Sequence, residues 1–233
     1  MAKMGKALFK ALRPAFREQL HFIPVNLDLG VMPYVYPEER QDPDMPKPMR
    51  MVFISVGLVD LVNNVAHAKA IDKIEKGFFD KYVVSLSQET GEKELRELPK
   101  LADKRYWTDD MMNEQESNFN QMAGTLLAIE LSHHYLGHYK KYADKLKDPQ
   151  GNPVPINTLL TEAEWQNSMK AGALDALNSG YGVEGIKSFY DSIEKMPKRP
   201  AWTVYFLPSF AKVSKLKKDL QRIENNFFAG QTE

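Results

Sequence analysis

Residues 126–142 read LLAIELSHHYLGHYKKY, and the reading of this stretch decides the fold. Three of the chain's five histidines fall inside it, at His133, His134 and His138, with Glu130 just ahead of them. Apolar residues recur at helical spacing through it and upstream of it, at Met112, Phe119, Met122, Leu126, Leu127, Leu131 and Tyr135. That periodicity predicts one long helix over 108–147. Thr108 is suited to cap its N-terminus, with Asp109, Asp110 and Glu114 in the first turns. The stretch comes one residue short of His-Glu-x-x-His, a pattern that places two imidazoles on one helix face to hold zinc, with a glutamate between them as general base. Glu130 and His133 are in place; Ile129 stands where the first His would be.

Working outward, RMVFISVG (50–57) is the best strand candidate, β-branched and aromatic and closed by Gly57. Strand-like Val/Tyr alternation stands at VMPYVY (31–36), inside an otherwise irregular, proline-rich 21–50. From Leu58 the period turns helical, through Leu61, Val62, Val65 and Ala66. YVVSLS (82–87) suits strand or helix, and QETGEKELRELPKLADKR (88–105) reads as solvated helix and loop. The basic segment 1–20 carries Leu8, Phe9, Leu12 and Phe16 at helical spacing, with Pro14 as a kink or restart. It reads as a packing or capping helix, with a peripheral membrane contact as the alternative.

Downstream, DPQGNPVPIN (148–157) is a loop. Thr161 with Glu164 makes a capping box at the head of another helix, which Gly180 ends. A further helix over 182–196 stops at Pro197, residues 197–209 are loop, and 211–228 is a last, basic amphipathic helix. No internal repeat is present. The sum is an α+β fold, predominantly helical, with a small sheet in the N-terminal third and a long central helix. One domain covers 1–233, with 1–48 as an N-terminal arm and proline-rich loop and 49–228 as the core.

Composition narrows the chemistry. Lysine plus arginine equals aspartate plus glutamate, 31 of each, so no global charge points to nucleic acid. KVSKLKKDLQR (212–222) lacks the interleaved aromatics of a nucleic-acid site and reads as a solvated face. With no cysteine, disulfides and thiolate sites are excluded, and His, Asp and Glu remain as metal ligands. No apolar run approaches the roughly 20 residues of a membrane helix. As written the chain reads as cytoplasmic; a removed leader would make it periplasmic or secreted. His21 and His67 have no partner in sequence, and a di-iron centre is excluded because Glu-x-x-His occurs without a second copy.

Several segments, in order, resemble the HtpX and CAAX-prenyl-protease family of zinc metallopeptidases. VFISVGLVDLVNN (52–64) is similar to its strand-into-helix segment, and AIELSHHYLGHY to its metal helix, including the extra His138. EWQNSMKAGALDALNSGYGVEGIKSFYDSIEKM (164–196) is similar to the helix that gives the third ligand and the Gly-Tyr turn after it, here Gly180 and Tyr181. FLPSFAKVSKLKKDLQRI (206–223) is similar to its C-terminal segment. The resemblance spans most of 50–225 and implies a zincin-like metallopeptidase fold. It implies Glu130 as general base, His133 as a zinc ligand and Glu164 as the third ligand, with Glu162 as alternate; Glu164 alone as a helix cap is the competing reading. His134 and His138, one turn apart on a continuous helix, are alternate ligands on another face, and otherwise one is exposed and one buried.

Two departures bear on activity. Ile129 removes a ligand, and Leu207 and Val213 stand where the family has the His and Arg that steady the oxyanion. The leading expectation is therefore a metallopeptidase-like protein with a degenerate metal site, non-catalytic or impaired, binding a peptide or protein in the old cleft. The alternatives are an active zinc endopeptidase with an unusual ligand set, and an unrelated helical binding protein with structural histidines.

Overall fold

The structure is a computed structural model and describes residues 1–20 and 23–231. Its elements run α1 (Ala2–Ala11), α2 (Pro14–Leu20), β1 (Val25–Asp28), β2 (Val35–Arg40), β3 (Met49–Ser55), α3 (Val56–Ile71), α4 (Phe78–Ser85), α5 (Asp109–Tyr135), α6 (His138–Tyr142), α7 (Glu162–Asn178), α8 (Glu184–Lys195) and α9 (Val213–Phe228). This is a predominantly helical α+β architecture organised around α5.

The three strands form one mixed sheet of order β1-β3-β2, with β1 parallel and β2 antiparallel to β3. β3 is central because its sequence is the most β-favouring of the three; Met51, Val52, Ile54 and Ser55 are buried. β1 is a strand where the sequence predicted irregular chain. Ser55 ends β3 and opens α3: its hydroxyl accepts from Leu58 N at 3.0 Å and from Tyr34 N at 3.0 Å, joining helix start to sheet edge.

α5 packs on α3, α7 and α8 at once, and α9 lies against α7. Its 27 residues begin as the caps predict, with Thr108 Oγ1 accepting from Met111 N and two aspartates facing the helix dipole. It ends earlier than the periodicity predicts. Gly137 takes φ +76°, a left-handed conformation that a Cβ disfavours, and the chain restarts as α6. His138 therefore does not share a helix with His134.

Pro14 opens α2, as a proline at the first helical position does. Leu8 and Leu12 are buried in the same core as α3 and α5, and Phe16 stacks on Tyr135 with centroids 4.2 Å apart. The N-terminal segment is thus a packing element. YVVSLS is helical, running from α4 into a 3-10 turn at Leu86–Gln88, and 89–103 carries turns with Glu89, Leu95 and Leu98 buried, not a solvated helix. The loop 197–209 contains a 3-10 turn at Ala201–Tyr205 that buries Trp202. No helix among the described residues is long and apolar enough to cross a membrane.

Candidate functional site

The motif face of α5 turns inward. Glu130 is 2% exposed and His133 fully buried. Glu130 Oε2 and His133 Nε2 are both sealed from solvent without a hydrogen-bond partner. Burial pushes the Glu130 carboxyl well above the usual carboxylate range, favouring the protonated form. Burial, with His138 and His134 adding to it, holds His133 well below the usual imidazole value, so it stays neutral. On α8 the Tyr190 phenol is raised by burial and then by the charge of the Glu130 carboxyl.

The break at Gly137 brings His138 back over the end of α5. His133 Nδ1 and His138 Nδ1 lie 3.0 Å apart, one donating to the other. His138 is also lowered, mainly by burial; Glu164 opposes the shift and Lys141 reinforces it. His134 faces the sheet instead: its Nε2 is 3.1 Å from the Met51 carbonyl, and its Nδ1 lies 3.4 Å from Glu39 Oε1. His134 and Arg50 hold the Glu39 carboxyl below its usual range, against burial. Both His134 and His138 are buried, where one exposed histidine was expected. His67 Nε2 is 2.8 Å from the Tyr106 carbonyl; His21 lies outside the described residues.

Glu164 closes the capping box, with Thr161 N and Oγ1 donating to Oε2 at 2.9 and 2.8 Å. It also receives Tyr142 Oη at 2.8 Å and Lys141 Nζ at 2.6 Å from α6. Burial raises its carboxyl, but the bonds from Lys141, Thr161 and Tyr142 outweigh that and draw it down to about 2. Glu164 thus pins α6 to the head of α7. Glu162 is exposed and accepts from Gln166 at 2.8 Å.

Ile129 points at α7. A Cβ built on Gly172 would lie 2.5 Å from Ile129 Cγ1, 2.7 Å from its N and 2.8 Å from its Cα. The two helices approach to backbone contact at the level where the first imidazole of the motif would project. Leu207 and Val213 are core residues, 3% and 1% exposed. These donors do not fit a zinc centre as arranged: the Ile129 position is filled by helix packing, and both Glu164 oxygens are engaged by Thr161, Tyr142 and Lys141.

Sequence reasoning missed a groove of about 630 Å³ between α7 and α9, lined by Trp165, Met169, Leu216 and Leu220 among others. The basic helix read as a solvated face forms one wall of it. The signal was present in the apolar stripe Leu216, Leu220, Ile223 at helical spacing. No family model, no curated protein and no solved structure matches the chain.

Proposed function

We propose that the chain is a divergent zinc-metallopeptidase-like protein, of zincin-like fold, that works by binding a peptide or protein and not by cleaving one. The observation that carries this is the contact of Ile129 with Gly172. A metal-activated water needs an open coordination position next to the general base. Here the base position holds a sealed carboxyl biased toward its protonated form, and the neighbouring space is helix-helix contact. The order of the motif segments supports the ancestry; the buried Leu207 and Val213 support loss of the oxyanion-stabilising groups.

Metal analysis of protein purified without chelator tests the reading. The expected result is zinc well below one per chain and unchanged in His133→Ala. One zinc per chain, lost in that variant, would overturn it in favour of a peptidase with an unusual ligand set.

A further inference from the structure

The α7–α9 groove has a basic rim and two accessible apolar patches, Phe210 at one end and half-buried Ile223 toward the other. Beneath them Trp165, Met169, Leu216 and Leu220 belong to the buried core where α7 packs on α9, each at most 5% exposed. Phe210 closes one end, edge-on to Trp165 at 5.9 Å and 38% exposed. Four cations, Lys170, Lys212, Lys215 and Arg222, stand around it against two carboxylates, Glu162 and Asp219. Asp219 is already shared by Lys215 and Arg222, each at 3.0 Å. Lys170 and Lys212 are exposed and form no ion pair among the described residues. The whole chain is charge-neutral, so this excess is local.

Shape and charge together select the occupant. Along α9, from its N-cap Lys212 to Asn226, the lining residues extend about 21 Å at the helical rise, or roughly four turns. A second copy would bring the same positive rim against itself, and like charges facing each other disfavour that pairing. A flat anionic membrane would meet the lysines but not the half-buried Ile223. A helix of the groove's length, apolar on one stripe and acidic on its flanks, meets both apolar patches and the rim.

Resting on the reading that this protein acts by binding, we propose that the α7–α9 groove docks an acidic amphipathic helix of a partner protein. The partner's apolar stripe rests on Phe210 at one end and Ile223 at the other, and its carboxylates pair with Lys170 and Lys212.

The test uses the full chain and a fluorescein-labelled synthetic peptide of about four helical turns, leucine on one stripe and glutamate on both flanks. Anisotropy should show saturable one-to-one binding. The double variant Lys170→Glu/Lys212→Glu should weaken it on the order of tenfold, and a peptide with lysine for glutamate should regain affinity for that variant. Phe210→Ala should weaken both peptides. Absence of saturable binding, or loss through the lysines with no effect of Phe210→Ala, would overturn the proposal. So would tighter lysine-dependent binding to anionic phospholipid vesicles, or a Phe210-dependent dimer in sedimentation. Mass spectrometry of the recovered peptide separates the two levels: a cleaved peptide overturns the non-catalytic reading, whereas an intact and unbound one overturns the groove alone.

Discussion

Ile129 and Gly172 meet where α5 crosses α7, so closely that the smallest side chain added to Gly172 would overlap Ile129, side chain and backbone alike. The clash with backbone atoms cannot be relieved by rotating a side chain. Gly172→Ala is therefore expected to destabilise by about 1–3 kcal/mol, even though alanine favours helix by up to about 1 kcal/mol. Urea unfolding measures this directly; a variant as stable as the wild type would mean that the helices do not touch here.

Glu130 is a buried carboxyl with an unpartnered oxygen. Leaving such a group unsatisfied costs about 1–3 kcal/mol. Glu130→Met, similar in length and apolar, should raise stability by about that amount, read from the unfolding midpoint. A working base would be exposed to solvent and water-bonded, and the same substitution would then give no gain.

Asp175 accepts from Tyr135 Oη at 2.7 Å under nearly complete burial. Burial raises its carboxyl to about 6 from 3.8, with Tyr135 and Arg13 opposing. Because the folded value lies above the unfolded one, the folded chain holds this proton more tightly, and stability falls as pH rises through the 3.8-to-6 window. A shift of that size corresponds to about 3 kcal/mol. Asp175→Asn should remove this slope, so the difference in unfolding free energy between variant and wild type should grow in the variant's favour across that window. A difference constant with pH would contradict the assignment.

His138 is the hydrogen-bond partner of His133 across the Gly137 turn. His138→Ala leaves His133 buried with both ring nitrogens unpaired, at an expected cost of about 1–3 kcal/mol. The double variant His133→Phe/His138→Ala should be less destabilised than the sum of the two single changes, because no unpaired imidazole remains. Additive losses in the double-mutant cycle would show that the pair does not form.

Local chemistry was legible in the sequence and tertiary selection was not. Thr108, Thr161, Glu164 and Gly180 act where their sequence neighbours place them, because caps and stops are decided within one helical turn. Glu164 was open between cap and ligand; the structure shows the capping bonds, and adds Lys141 and Tyr142 from a segment the periodicity assigned to α5. An isolated glycine inside a helical pattern is often tolerated, so Gly137 gave no local sign that α5 would stop. The return of His138 to His133 is a contact across the resulting turn, visible only once the chain is folded. β1 was hidden because four residues with one exposed and three half-buried give no alternation. The close approach at Gly172 is hinted by the small-residue run AGA, but nothing in the sequence names Ile129 as its partner.

The central claim is that the motif helix is sealed and does no hydrolysis. The most direct measurement is cleavage of a broad peptide mixture by wild type supplied with zinc, beside Glu130→Gln as control. The account predicts identical, background-level cleavage by both. Cleavage by the wild type that Glu130→Gln abolishes would contradict it.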